Sequence, residues 1–129
     1  MGKGQLIDAT VLIDHLRGHP DATAYLAPLV LSGAAVIHPA VLAEVLSGAR
    51  DARHLRMLDI ALSDLRILRV RGDDLVRTVD LVRSYRLSAG IGWPDCLIAA
   101  TALRLSLPVT TLNDKHFKAI RGLRVIRPY

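Results

Sequence analysis

The sequence predicts an α/β domain in which helices cover both faces of a parallel sheet. Two observations support this class. Short apolar segments rich in β-branched residues alternate with longer segments of helical periodicity. The 129 residues are 51% hydrophobic and 22% charged, so the chain can bury a core and is not expected to be disordered. We therefore expect a single domain over residues 1–129.

The first half of the chain predicts two strands and four helices. Gly18 and Gly33 close the first two helices, Pro20 opens the second, and Asp51 is a suitable N-cap for the fourth. In chain order, the segments are strand QLIDA, helix TVLIDHLRG, helix PDATAYLAPLVLSG, strand AAVIH, helix PAVLAEVLSGA and helix DARHLRMLDIALSD.

The second half predicts three strands and three helices. The long helix GDDLVRTVDLVRSYRL is expected to bury Leu75, Val79 and Val82, which follow the i, i+4, i+7 spacing. In chain order, the segments are strand LRILRV, that long helix, the alanine-rich helix in GIGWPDCLIAATALRL, strand LPVTT, the short helix DKHFKAI and strand LRVI.

Several classes of protein are excluded or disfavoured by composition. Cys96 is the only cysteine, which rules out an internal disulfide, argues against a zinc site and fits a reducing compartment. The longest apolar run, LAPLVLSGAAVI, is too short for a bilayer span, and the N-terminal segment MGKGQLIDATVLIDHL lacks a secretory pattern. A cytoplasmic protein is the default expectation.

The charge balance is compatible with a polyanionic partner. Seventeen Lys and Arg against twelve Asp and Glu give a net charge of +5. Most of the cations are arginines, whose planar fork suits phosphate. Basic proteins often bind no nucleic acid, so charge alone does not decide the matter.

Four acids fall where the predicted strands end. Functional groups of an open parallel sheet gather beyond the C-terminal ends of its strands. Asp8 ends the first strand, Asp114 follows the strand LPVTT, and Asp95 opens the alanine-rich helix. Glu44 lies in the helix after AAVIH, on a face whose neighbours Ala40, Ser47 and Gly48 are small.

Each acid also has an ordinary structural interpretation. Asp8 suits an N-cap, Asp95 complements a helix dipole, Glu44 suits a solvated helix face and Asp114 suits a turn or cap. The other acids considered are assigned to solvated faces, loops or caps: Asp14, Asp59, Asp64, Asp73, Asp74 and Asp80.

Taken together, the acids favour a metal site. Carboxylates that converge at one end of a sheet repel one another unless cations neutralise them. Oxygen ligands without Cys or His favour Mg²⁺ or Mn²⁺, and Mg²⁺ commonly shares its coordination sphere with phosphate oxygens. An acidic pit within a basic surface is therefore a plausible phosphodiesterase site.

Four segments, in this order, resemble the PIN-domain ribonucleases, and in particular the VapC toxins of VapBC toxin–antitoxin modules. They are LIDATVLIDHLRG, AEVLSGAR, WPDCLIAATAL and VTTLNDKHF. The resemblance covers nearly the whole chain and implies an α/β/α sandwich with a parallel sheet of about five strands. It places Asp8, Glu44 and Asp95 at the family's acidic site as metal ligands.

The chain departs from the family pattern at two places. Ala9 stands where relatives usually have threonine, although Thr10 is available to orient the acid or a metal-bound water. In TLNDKHF, Asn113 aligns with a family asparagine or aspartate, and His116 with the last aspartate. The fourth site residue is therefore Asp114, Asn113 through its amide oxygen, or neither, and His116 is expected to orient a neighbour.

The resemblance implies hydrolysis of RNA by a metal-activated water, leaving a 5′-phosphate and a 3′-hydroxyl. It also implies a homodimer and a VapB antitoxin whose tail lies over the acidic site. Trp93 is a candidate for stacking on a base or for packing, and Cys96 for packing. The arginines at positions 50, 53 and 56 are candidates for gripping a phosphate backbone or for a solvated face.

Two alternatives remain at this stage. A signalling receiver domain has a similar length, but LRILRV is followed by RGDD in place of a lone acceptor aspartate, and no lysine follows LRVI. A PIN fold that has lost catalysis and only binds RNA or protein stays open, because the fourth ligand is ambiguous.

Overall fold

The computed structural model describes residues 4–129 and contains the strands and helices expected from the sequence. Met1 to Lys3, which belong to the N-terminal segment considered for secretion and to the expected single domain, lie outside the described residues. The elements are β1 Gln5–Ile7, α1 Ala9–Leu16, α2 Pro20–Leu31, β2 Ala35–Ile37, α3 Pro39–Ser47, α4 Ala52–Ala61, β3 Arg66–Ile67, α5 Gly72–Ala89, α6 Trp93–Leu105, β4 Val109–Thr110, α7 Asp114–Lys118 and β5 Val125–Ile126.

The five strands form one parallel sheet in the order β3-β2-β1-β4-β5. The predicted α/β/α sandwich with a parallel sheet is confirmed. The central strand β1 pairs with β2 on one side and β4 on the other. The chain moves outward from β1 in both directions, so the edge beyond Ile7 is a topological switch point, where open α/β sheets usually bind ligands.

The core lies at the central strands and the helices that cover them. Leu6, Ile7, Val36, Ile37 and Val109 are fully buried. The middle of α6 is buried on nearly every side, from Cys96 through Ala102, so the alanine-rich segment is a core helix and Cys96 is a packing residue. Gly18 and Gly33 end α1 and α2 with positive φ, as the turn prediction requires.

The predicted buried face of α5 is wrong. Leu75 and Val79 are about half exposed, at 54% and 49%, and only Val82 packs against the core. The helix instead buries Asp74, Thr78 and Leu81. Apolar periodicity misidentified the face because the packing surface of α5 contains two satisfied polar groups. The carboxylate of Asp74 is bonded by Thr101 and Arg104 of α6, and the hydroxyl of Thr78 donates to the Asp74 carbonyl within α5.

Asp74 is the centre of that packing surface. Of the places allowed by the sequence, which were a solvated face, a loop or a cap, the structure shows a cap that is also buried. Its side chain is 2% exposed, and Arg104 of α6 donates from Nε to Oδ1 at 2.7 Å and from Nη2 to Oδ2 at 3.0 Å. The backbone N–H of Arg71 donates to Oδ2, a cap interaction at the start of α5. Burial raises the pKa of Asp74, but the hydrogen bonds from Arg104, Arg71 and Thr101 outweigh it and leave the pKa below its ordinary value.

The same carboxylate connects α6 to the start of α3. The backbone N–H of Ala40 donates to Nδ1 of His38, the N-cap of α3, at 2.9 Å, so the ring proton is on Nε2. Nε2 then donates to Thr101 at 3.0 Å, and the Thr101 hydroxyl donates to Oδ2 of Asp74 at 3.0 Å. We call His38, Thr101, Asp74 and Arg104 the His38–Arg104 network. It joins α3, which carries Glu44, to α6, which carries Asp95.

Replacing His38 with asparagine tests this network through the pH dependence of stability. Burial lowers the pKa of His38 to about 4 from an ordinary 6.5, although the charge of Asp74 acts in the opposite direction. Between pH 6.5 and 4, His38 is protonated in the unfolded chain but neutral in the native protein. The contribution of His38 to the free energy of unfolding is therefore lost as the pH falls through this range. We expect the stability advantage of the wild type over His38→Asn in urea denaturation to shrink by about 1.4 kcal/mol per pH unit in this window.

His19→Asn is the matched control. His19 also caps a helix, because its Nδ1 accepts from the N–H of Asp21. Its ring lies 5.0 Å from that of Tyr129 and, within residues 4–129, makes no hydrogen bond to a buried polar side chain. Parallel stability curves for the wild type and His38→Asn from pH 4 to 7 would contradict the assignment of His38 as a buried neutral imidazole.

Candidate active site

Asp8 is held at the switch point by two hydroxyl groups. It is buried, directly follows β1 and occupies the N-cap position of α1, yet its side chain makes no capping hydrogen bond. Thr111 donates to Oδ2 at 2.8 Å and Thr10 donates to the same oxygen at 3.2 Å. Within residues 4–129, Oδ1 receives no hydrogen bond. One oxygen of Asp8 is therefore oriented by the protein, and the other remains available.

The two threonines are themselves fixed by the loop after β4. The backbone N–H of Leu112 donates to Thr10 Oγ1 at 3.1 Å, and that of Asn113 donates to Thr111 Oγ1 at 2.9 Å. The sequence pointed to Thr10 but missed Thr111. The signal was present, since Thr111 follows a strand that neighbours β1 and therefore stands at the same sheet edge as Asp8.

Glu44 and Asp95 come close enough to Asp8 for their charges to interact. Burial and then the charge of Asp8 raise the pKa of Glu44, although this side chain is exposed on α3. Burial, followed by the charges of Asp8 and Glu44, raises the pKa of Asp95 to about 6, and His116 acts in the opposite direction. The structure thus brings together the three acids that were expected to be metal ligands.

The acids do not form a closed metal cage. Within residues 4–129, no three His, Cys, Asp or Glu side chains are grouped closely enough to be a ready-made ligand set. The charge of Asp8 nevertheless acts on both Glu44 and Asp95, in addition to their burial, so the three acids lie within reach of one another's charge. An open set of oxygen ligands suits Mg²⁺, which usually keeps several waters and binds through one or two carboxylates.

Asp114 and Asn113 have different surroundings. Asp114 is paired with Arg127 at 3.0 Å and with Lys118 at 3.1 Å, and hydrogen bonds from Lys118 and then Arg127 lower its pKa. The side-chain nitrogen of Asn113 lies 2.9 Å from Nδ1 of His116, a residue whose charge acts on Asp95. The carboxylate of Asp114 is therefore already neutralised by cations, whereas the amide oxygen of Asn113 takes no part in its contact with His116.

Trp93 and the expected phosphate-binding arginines are accessible. Trp93, the first residue of α6, is 63% exposed, so it is not a core packing residue. Arg50, Arg53 and Arg56 are all exposed, and their guanidinium groups make no hydrogen bond or ion pair within the described residues.

A doubly wound sheet with an acidic switch point defines a class of α/β domains suited to a divalent cation. The PIN domain family matches residues 6–123 of the chain. Ribonuclease VapC19 from Mycobacterium tuberculosis is 36% identical over 123 residues, covering 93% of this chain and 97% of the relative. Ribonuclease VapC10 from the same organism is 35% identical, covering 92% and 90%. The chain belongs to the PIN-domain family, as its motifs indicated.

Solved structures give the same result. A toxin–antitoxin complex from Klebsiella pneumoniae contains a chain that is 30% identical, with a TM-score of 0.80 and coverage of 98% of both chains. VapBC2 from Rickettsia felis, bound to a DNA fragment from its promoter, is 26% identical with a TM-score of 0.77, covering 94% of this chain and 96% of that one. Over residues 4–129 no helix has the length and hydropathy that a membrane span requires.

Asp95→Asn is expected to stabilise the protein when divalent cations are absent. Because the pKa of Asp95 is higher in the native protein than in the unfolded chain, the native protein holds this proton to a higher pH. Stability is therefore lost as the pH rises from 3.8 to about 6. The amide removes both the desolvated charge and its repulsion from Asp8. We expect a gain on the order of 1 kcal/mol at pH 7 in EDTA, measured by urea denaturation, after discounting for solvent screening.

Asp59→Asn is the control, because Asp59 is an exposed carboxylate on α4. It is expected to leave stability nearly unchanged. A loss of stability in Asp95→Asn at pH 7 would show that Asp95 is stabilised in the native protein and that the three acids do not repel one another.

Thr111→Val tests the support of Asp8. The substitution conserves volume but leaves the N–H of Asn113 without its acceptor and Oδ2 of Asp8 without its shorter hydrogen bond. We expect a loss of about 1–3 kcal/mol in the free energy of unfolding and a smaller increase in melting temperature on addition of Mg²⁺.

The neighbouring Thr110→Val is the matched control for Thr111→Val. Thr110 is equally buried in β4, but its hydroxyl donates to Gln5, away from Asp8. It is expected to lower stability without changing the response to Mg²⁺. An equal change in that response for both variants would argue against a specific role for Thr111.

Proposed function

We propose that the protein is a divalent-metal-dependent endoribonuclease and the toxin of a VapBC-type toxin–antitoxin pair. The observation that carries the proposal is the position of Asp8, Glu44 and Asp95 at the switch point of a PIN-domain sheet, where burial and then the charge of Asp8 raise the pKa of Glu44 and Asp95. Such an arrangement stores electrostatic energy that a cation relieves. The relatives named ribonucleases support RNA as the substrate.

In this reaction some of the residues would bind the metal ion and others would orient the ligands. Asp8 offers its free Oδ1 to the metal while Thr10 and Thr111 hold Oδ2. Glu44 and Asp95 complete the oxygen set, with Mg²⁺ or Mn²⁺ as the expected ion. When bound, such an ion lowers the pKa of a coordinated water and stabilises charge on the phosphoryl oxygens.

Asn113 is the better candidate for the fourth site residue. The cations that surround Asp114 compete with a metal for its oxygens and fit a role in securing α7. Asn113 keeps its amide oxygen available beside His116. Trp93 is sufficiently exposed to stack on a base of the RNA.

The proposed partners are an RNA substrate, a VapB-type antitoxin and a second copy of the chain. The toxin–antitoxin complexes among the structural neighbours support the antitoxin. Exposed apolar side chains on α5, which are Leu75, Val76 and Val79, support a homodimer interface. We further infer that residues 1–129 act as one domain in the cytoplasm, where RNA substrates are found.

Substitution of the acids should abolish cleavage. Asp8→Asn, Glu44→Gln and Asp95→Asn each remove a ligand oxygen charge, and we expect each to lower kcat/KM on a labelled oligoribonucleotide by on the order of a hundredfold or more. EDTA should abolish the wild-type activity, and Mg²⁺ or Mn²⁺ should restore it. Asp59→Asn serves again as the control.

The fourth position is decided by a paired comparison in the same assay. Asn113→Ala is expected to reduce cleavage, whereas Asp114→Asn is expected to reduce stability with little effect on kcat. The opposite result would transfer the role to Asp114. RNA binding without cleavage by the wild type, at any divalent concentration, would replace the enzyme by a PIN-fold binding module.

A further inference from the structure

A pocket beside the acidic site lies between α1, α3 and α4. Its volume is about 440 Å³, within the range of small-ligand sites. Its apolar lining includes Ile13, Leu16 and Leu58, each of which is partly exposed. Glu44 forms part of the wall, so the pocket opens next to the carboxylates of the candidate active site.

Apart from Glu44, the polar side chains of the pocket are hydrogen-bond donors. Arg17 and Arg50 line it, and within residues 4–129 neither guanidinium group has a hydrogen bond or an ion-pair partner. His54 also lines it. Its Nδ1 accepts from the backbone N–H of Arg50 at 3.0 Å, which leaves the ring proton on Nε2. Three donors without internal acceptors therefore face an apolar surface.

The start of α4 holds two of the three donor residues, His54 and the backbone of Arg50. The backbone N–H of His54 donates to Oδ1 of Asp51, the N-cap of the helix, at 2.7 Å. The cap interaction and the Arg50–His54 hydrogen bond together fix the loop between α3 and α4. The pocket is thus preorganised at its polar edge, which reduces the entropy lost on binding.

We propose that this pocket binds one nucleotide of the RNA substrate next to the scissile phosphate. The proposal rests on the ribonuclease function proposed above. The base lies against Leu16 and Leu58, and the phosphate on its far side is bound by Arg17 and Arg50. Guanidinium forks suit phosphate oxygens, and an apolar wall accepts the face of a base.

The charge of the pocket favours RNA over a protein segment as the occupant. Both the pocket arginines and the chain as a whole are positive, with a net charge of +5. Glu44 is a wall residue and an expected metal ligand, so a strand whose scissile phosphate meets the acids must place a neighbouring nucleotide beside Arg50. The pocket is therefore selective for the base at one position near the cleavage site, and the selectivity depends on how well that base fits the apolar wall.

The test pairs protein variants with modified substrates. Oligoribonucleotides that carry a single abasic ribose are scanned across the cleavage site, and kcat and KM are measured for the wild type and for Leu58→Trp, which fills the pocket. We expect one abasic position to raise the wild-type KM by on the order of tenfold. At that position alone, the abasic substitution should not raise the KM of Leu58→Trp, because the filled pocket of this variant does not accept the base in the first place.

Charge variants provide a second measurement that does not depend on repacking. Arg17→Gln and Arg50→Gln are expected to raise KM several-fold with kcat maintained, and to weaken the salt dependence of RNA binding. Arg66→Gln is the matched control, since Arg66 is also exposed but lies on the edge strand β3 and does not line the pocket.

The outcomes separate this inference from the proposed function. If the wild type cleaves RNA but no abasic position raises its KM more than it raises the KM of Leu58→Trp, the pocket is not a nucleotide site. The ribonuclease function would then still stand. If the pocket variants leave RNA kinetics unchanged but weaken binding of an antitoxin peptide, the occupant is the antitoxin and the inference is overturned. If no RNA is cleaved, the proposed function itself fails and the inference fails with it.

Discussion

The arrangement of the site depends on satisfying one buried carboxylate, that of Asp74. An unpaired buried charge destabilises a protein by several kcal/mol, about 3–5 when a partner is removed. Arg104 supplies the neutralising charge, and Thr101 links the carboxylate to His38 at the start of α3. Because the His38–Arg104 network joins α3 to α6, it determines where Glu44 and Asp95 stand relative to Asp8.

That support is needed because the clustered carboxylates of the candidate site destabilise the folded protein. Burial and then the charges of neighbouring carboxylates raise the pKa of Glu44 and Asp95, so bringing these acids together is electrostatically unfavourable. The hydrophobic packing of α6 and the threonine pair at Asp8 hold the acids against this repulsion. Local instability is expected at a site of clustered acids that binds a cation. Here the hydrophobic core and the carboxylate of Asp74, which is neutralised by Arg104, compensate for this instability.

The same contrast explains why Asp74 and Asp95 behave differently. Both are aspartates in the first turn of a helix, and both are removed from water to some extent. Asp74 faces Arg104 and has a lowered pKa, whereas Asp95 faces other acids and has a raised one. The local sequence gave no hint of the surroundings of Asp74, because Thr101 and Arg104 are 27 and 30 residues away in the chain. The convergence of Asp95 with other acids was expected from the ends of the parallel strands.

Local patterns in the chain were sufficient for the order of strands and helices, for the parallel sheet, and for the placement of Asp8, Glu44 and Asp95 at one edge. These features follow from short-range periodicity, turn residues and the geometry common to parallel sheets. Only tertiary packing decided that α5 turns Asp74 and Thr78 inward while Leu75 and Val79 face solvent, and that Thr111 holds Asp8. A polar group can be buried when a distant partner satisfies it, and the identity of that partner is set by which helices and strands meet.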